Sequence, residues 1–358
     1  MKSRIIHTWA ASLVALLLAT AAPRPVAGAT EAPRTVTMRT RTMGTWASLT
    51  LVTADSAAVA DLAREALLEF HRVDSLMTNW TDISEVARLN REATAGPVAV
   101  QPEVAEVLRT AVRVGRDSGG AFDLSVEPLV RLWGFLGGTP RVPTEEAIEA
   151  TRGLVGWHHV GVDTVAGTLA LSGPGVRIDL GGIAKGYGVD LVAARLQAAG
   201  VRDALIDLSG NMMTLGAPPG RSAWTIGIRD PAAAEHHLAT LKLTGTAVAT
   251  SGSYEQFVAA GGRRYGHILD PRTGWPAEGL LSVTVVTPRA VDADAWATAL
   301  FVLGPAAARA TAAARADLAV VLLEEGEDGR LILWVESALA DRFAPAAGLE
   351  ASLTIRTF

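Results

Sequence analysis

The 358-residue chain contains no cysteine. Disulfides and a lipid-attachment thiol are therefore both excluded, and the hydrophobic core alone has to hold the fold. Runs of like charge are also missing, and the formal net charge is -5. A nucleic-acid-binding protein would carry a clustered basic surface, so that class is set aside. Lysine is scarce: Lys2, Lys185 and Lys242 are the only three, in a chain that otherwise uses arginine. Apolar runs are short. The longest, Trp9 to Ala22, falls below the ~20 residues of a bilayer span, and nothing later is long and uncharged enough to cross a membrane.

What is present is globular composition, with 49% hydrophobic and 19% charged residues. The start reads as an export signal. Lys2 and Arg4 precede the apolar run, and Ala27-Gly28-Ala29 supplies the small residues of a cleavage site. We expect a signal peptide over residues 1–29 and a linker over 30–34. An uncleaved N-terminal anchor is the other reading. The mature chain is then a periplasmic or secreted protein without a stable membrane span.

From Thr35 to Val52 the sequence alternates as a strand pair broken at Gly44, and Asp55 to Leu76 repeats its apolar residues at helical spacing. A helix is expected over Pro102 to Ser118, stopped by Gly119-Gly120. Val176 to Leu180 alternates as a short strand leading into a glycine-rich turn and a helix that ends at Gly200. Further strands are expected at Ala204–Leu208 and Trp224–Ile228, with more strands or strand ends at Ala247–Tyr254, Tyr265–Leu269 and Leu281–Val286. A helix is expected over Asp292–Leu303, and a hairpin over Ala319–Val335 turning at Glu327-Asp328-Gly329. No solenoid-range repeat and no composition break interrupts this series. The expectation is one continuous α+β unit over residues 35–358, with mixed sheets flanked by helices.

Four segments can carry chemistry. Ile178-Asp179-Leu180-Gly181-Gly182-Ile183-Ala184-Lys185-Gly186-Tyr187 takes a strand through glycines into a helix with a lysine in its first turns. Such a backbone lets a ligand approach closely and attracts phosphate, although the spacing fits neither a dinucleotide fold nor a P-loop. Asp292-Ala293-Asp294-Ala295-Trp296-Ala297-Thr298 places Asp294 and Thr298 four apart on one helix face. Carboxylate, hydroxyl and carbonyl are hard ligands suited to Mg²⁺, yet the same residues also serve as a helix N-cap. His267-Ile268-Leu269-Asp270-Pro271-Arg272-Thr273-Gly274 offers an acid–base pair at a strand end, or a purely structural turn capped by Asp270. Gly120-Ala121-Phe122-Asp123 and the nearby Trp133 either stack on a flat ring or fill a core.

Taken together and in this order, these segments resemble the ApbE family, the FAD:protein FMN transferases. The resemblance rests on MTNWTDISEVARLN, GGAFDLSVEPLVRLWGF, IDLGGIAKGYGVD, DLSGN, ATSGSYE, HILDPRTGWP and DADAWATALFVLG, and runs through nearly the whole chain after residue 42. It implies an ApbE-like, T-fold-related architecture and a magnesium-dependent transfer of FMN from FAD to a Thr or Ser hydroxyl of an exported or membrane redox subunit, releasing AMP. FAD hydrolysis to FMN and AMP, or FAD binding without catalysis, are the alternatives. By the same resemblance Met43, Trp80, Ala121, Phe122, Asp123, Asp179, Lys185 and Ile268 would bind FAD. Gly182 and Ala297 through their carbonyls, with Asp294 and Thr298, would hold the metal. His267 is the candidate general base, with Asp270 or Asp179 as the second choice. The chain departs from the pattern at Trp80, where tyrosine is commoner, at Gly266, where a second histidine is frequent, and at Ser253, where an acidic or amide residue is usual.

Overall fold

The computed structural model describes residues 32–253, 256–349 and 351–358; the expected signal peptide and the first two linker residues lie outside them. The first strand begins at Arg34, and Pro33–Phe358 form one unit.

A nine-stranded sheet is the frame. From edge to edge it runs through Arg34–Thr42, Thr45–Thr53, Ala204–Leu208, Asn211–Leu215, Ala247–Gly252, Ser282–Thr287, Ala319–Glu325, Leu331–Val335 and Leu353–Thr357. Every neighbouring pair is antiparallel except the last, which is parallel, so the sheet is mixed.

The two-residue side-chain period decides what covers each face. Ala247, Ala249, Val320 and Leu322 join the core beneath the helices Ser56–Met77, Ala184–Ala198 and Ala290–Ala313. Val248, Val321 and Leu323 point the other way, into a second core shared with Trp224–Asp230 and Ala233–Leu243 of a three-stranded sheet. The strand Ser282–Thr287 is buried at every position, as a central strand covered on both sides must be.

Two hairpins close at the same end of this sheet, each with a non-glycine residue in the left-handed region. Met43-Gly44 turns with φ of 48° and 71°, and Ser209-Gly210 with 52° and 89°. Positive φ at both central residues is the two-residue turn that matches strand twist. The Met43 N–H donates to Asp74 at 2.9 Å, which pins this strained turn to the end of the first helix.

Most expected elements stand where their patterns placed them; two differ. Val176 to Leu180 joins no sheet. The Ile178 N–H donates to Asn90 Oδ1 at 2.7 Å, while its carbonyl accepts from Asn90 Nδ2 at 2.9 Å and Asn79 Nδ2 at 3.0 Å. Asparagine side chains thus replace a ladder partner. The helix expected over Asp292–Leu303 begins earlier, at Ala290, and continues to Ala313 across a break where Gly304 (φ 75°) meets Pro305. A left-handed glycine followed by proline accounts for the signal that the sequence gives at Leu303.

Candidate active site

The site is built where the helix Ala184–Ala198 meets the helix Ala290–Ala313. The extended segment held by Asn79 and Asn90 delivers Asp179, whose N–H donates to the Leu124 carbonyl at 2.7 Å. Asp179 Oδ1 then accepts the Gly181 N–H at 2.6 Å, tightening the glycine turn. Burial pushes the Asp179 carboxyl above its ordinary value, and the Gly181 hydrogen bond opposes that shift. Lys185 folds back so that Nζ donates to the Gly181 carbonyl at 3.2 Å. The chain's one lysine in this region therefore sits over the turn it follows.

Asp294 is buried, and its Oδ2 accepts the Gly186 N–H at 2.9 Å. Burial raises its carboxyl, with the Lys185 charge pulling it back down. The helix-cap reading of this cluster is settled by geometry. Asp190 caps the helix instead, accepting from Ala290 N at 2.7 Å and Val291 N at 3.1 Å, and Asp292 pairs with Arg113. Asp294 does not cap its own helix and reaches instead to the first turn of the neighbouring one.

Hard oxygens gather around Thr298, one helical turn beyond Asp294. Thr298 Oγ1 lies 3.4 Å from the Asp294 carbonyl and 3.4 Å from Ser251 Oγ. A Cβ built on Gly182 would stand 3.5 Å from Thr298 Oγ1 and 3.3 Å from the Phe122 ring, so glycine backbone, hydroxyl and aromatic edge converge. No three His, Cys, Asp or Glu side chains gather anywhere among the described residues. An ion here would rest on one carboxylate plus neutral hydroxyls and carbonyls. A buried carboxylate one helical turn from a hydroxyl that itself lies near Ser251 and the Gly182 backbone fits Mg²⁺ and would suit a soft metal poorly.

His267 follows the strand Arg263–Gly266. Its Nδ1 lies 3.2 Å from the Gln256 carbonyl, which also accepts the His267 N–H at 3.1 Å, and its ring meets Phe135 edge-on. A carbonyl facing Nδ1 requires the proton there, which leaves the neutral ring's lone pair on Nε2. Asp270 is differently placed. Both its oxygens accept from Arg272, at 2.8 Å each, and Oδ1 also takes the Arg272 N–H at 2.9 Å. Its carboxylate is committed to holding the turn.

The remaining expected residues divide by exposure. Trp80 is 70% exposed, beside the Asn79 that grips Ile178. Met43 and Ile268 are partly buried against the main core, while Ala121 and Phe122 are buried. Asp123 is buried and turned inward: Oδ1 accepts Ser125 N at 2.8 Å and Ser125 Oγ at 2.6 Å, and burial raises its carboxyl. Ala297 is buried between Asp294 and Thr298 on their helix.

Sequence reasoning missed Asp190, Asn79, Asn90 and Ser251 as site-building residues. Asn79 and Asn90 stood in a quoted motif but carried no periodicity, and nothing local announces that Asp190 caps a helix 100 positions away.

The family profile of the ApbE family matches residues 43–322. The FAD:protein FMN transferase of Salmonella typhimurium is 31% identical over 315 residues, covering 84% of this chain and 89% of that one. The FAD:protein FMN transferase of Vibrio cholerae is 32% identical over 332 residues, covering 90% and 96%. Among solved structures, the flavin transferase ApbE from Vibrio cholerae superposes with a TM-score of 0.77 at 30% identity, over 87% of this chain and all of that one. The apo flavinyl transferase ApbE of Pseudomonas stutzeri gives 0.78 at 33% identity, over 88% and 98%. With the profile spanning most of the chain and the whole sheet-and-helix frame shared, the chain belongs to the ApbE family.

Proposed function

We propose that this protein is an FAD:protein FMN transferase that moves FMN from FAD to a Thr or Ser hydroxyl of an acceptor protein and releases AMP. The observation that carries this reading is the convergence of the Asp179–Gly186 turn, Lys185, Asp294 and Thr298, with an exposed Trp80 next to the Asn79 that holds Ile178.

Trp80 offers an uncovered ring on which the isoalloxazine can stack. Met43, Ala121, Phe122 and Ile268 supply the apolar walls, and the glycine turn lets backbone approach the pyrophosphate. Lys185 brings a compact positive charge to those phosphates. Gly182, Asp294, Ala297 and Thr298 would hold Mg²⁺, which would supply charge neutralisation at the pyrophosphate and activation of the phosphorus toward displacement. The acceptor hydroxyl loses its proton to His267 Nε2 while its oxygen bonds the FMN phosphorus. The bond from that phosphorus to the bridging oxygen breaks, and the oxygen leaves with AMP. The leader-like residues 1–29 support an exported acceptor.

The test mixes pure protein, FAD, Mg²⁺ and a candidate redox subunit, and weighs the acceptor by mass spectrometry. Gain of one FMN, lost when the acceptor threonine is replaced, is the expected result. AMP release at the same rate without acceptor would reassign the chain to FAD hydrolysis. Stoichiometric FAD retention with no AMP would make it a carrier. Full transfer by His267→Ala at neutral pH would remove that residue from the base role.

A further inference from the structure

We infer that Ser251 is a further oxygen ligand of the divalent-cation site, donating its hydroxyl oxygen alongside Thr298. The inference rests on the cation reading above and extends it to a residue outside the expected ligand set.

Ser251 lies on the central strand Ala247–Gly252, opposite Val283. The strand's alternation puts it on the same face as Ala247 and Ala249, which are fully buried under the helices. The residue on the other face, Thr250, has a well-made partner, with its hydroxyl 2.9 Å from that of Thr284. Ser251 has none of that quality. A polar side chain therefore replaces the small apolar residue expected at this register, directly beneath the helix that carries Asp294 and Thr298.

Distances show that the hydroxyls are not there for each other. Ser251 Oγ and Thr298 Oγ1 are 3.4 Å apart, and Thr298 Oγ1 is again 3.4 Å from the Asp294 carbonyl. Hydroxyl–oxygen hydrogen bonds normally close to about 2.7–2.8 Å, so both contacts are slack. Two part-buried hydroxyls facing one another without a proper bond leave lone pairs available to a third party. With Asp294 as the charged ligand, a small hard cation is the species that uses several neutral oxygens at once. Packing explains neither the choice of serine nor the spacing, because alanine occupies the two equivalent positions before it.

The cysteine-free chain allows a direct test. In Ser251→Cys an oxygen ligand becomes a sulfur one, and soft sulfur favours Cd²⁺ over Mg²⁺. The expected result is a fall of roughly tenfold or more in Mg²⁺ affinity by calorimetry. Cd²⁺ should bind tightly with a thiolate charge-transfer band in the ultraviolet, which no other residue of this chain can produce. Cd²⁺ should also restore AMP release. Absence of the band with Cd²⁺ bound overturns the assignment. So does wild-type Mg²⁺ affinity in Ser251→Ala, a variant that only shortens the side chain to that of its neighbours. Asp294→Ala serves as the reference. If it loses Mg²⁺ binding while both Ser251 variants keep it, Ser251 is excluded and the cation site stands. If wild type and Asp294→Ala bind Mg²⁺ equally, the cation site itself is wrong.

Discussion

Asp190 and Asp294 cap each other's helices. Asp190, on the helix Ala184–Ala198, accepts the first N–H groups of Ala290–Ala313, and Asp294, on that second helix, accepts the Gly186 N–H near the start of the first. Each helix N-terminus thus receives a carboxylate from its neighbour, complementing the positive end of the dipole. The register that aims Asp294 and Thr298 at the glycine turn is fixed by this exchange.

The first prediction concerns acid. Burial pushes Asp190 from 3.8 up to about 6, so its protonated form is favoured in the folded state. Its stabilising contribution is complete below pH 3.8 and is lost as pH rises through about 6. The difference corresponds to roughly 3 kcal/mol at most. Asp190→Asn should flatten the decline of stability between those two pH values in denaturant titrations; an unchanged slope would show that another group causes it. Burial displaces Asp294 in the same direction, and a metal ligand must be deprotonated, so stabilisation by added Mg²⁺ should grow with pH.

Gly186→Ala should separate the two helices. The new Cβ would run into the Ala290 carbonyl and come within 2.8 Å of Asp294 Cβ. Overpacking of this kind costs about 1–3 kcal/mol or more. Chemical denaturation should report that loss, and Mg²⁺-dependent AMP release should fall with it. Gly200→Ala is the comparison: its left-handed φ of 83° strains the backbone far from the site and should spare the kinetics.

Removing the Ile178 clamp should loosen the phosphate turn. In Asn90→Ala the Ile178 N–H loses its acceptor, while its carbonyl keeps Asn79. An unsatisfied buried donor costs about 1–3 kcal/mol. The KM for FAD should rise by more than kcat falls, because the segment carries Asp179 into place. A loss of stability with KM unchanged would make the clamp purely structural.

Trp80→Ala should leave folding untouched, since the ring is 70% exposed. FAD affinity should drop by about 1–3 kcal/mol, the range for aromatic stacking on a base-like ring. Met43→Gly separates two effects at one turn. Relief of the left-handed φ of 48° contributes about 1 kcal/mol, which the lost packing of the partly buried side chain offsets, so stability should stay near wild type while FAD binding weakens. Equilibrium fluorescence titration measures both variants.

Patterns with a local cause were legible before any coordinates. The Thr35–Val52 hairpin, the helix after Asp55 and the Ala319–Val335 hairpin follow from alternation, helical spacing and turn residues, and the quoted motifs pointed to the family. Val176–Leu180 was misread because alternation reports which side chains are buried, whereas its hydrogen-bond partners turned out to be Asn79 and Asn90, 88 or more positions away for the bonds they make.

The sequence by itself determined the cysteine-free core, the alternation that buries both faces of the central sheet, and the motifs that mark the family. Only the tertiary structure decided which donors hold each carboxylate. Asp190, not Asp294, caps the helix that carries Asp294, Asp294 itself reaches the neighbouring helix, and both oxygens of Asp270 are held by Arg272. The physical reason is that a carboxylate's role is set by its burial and by which donors reach it, and those donors come from segments that the chain brings together only on folding.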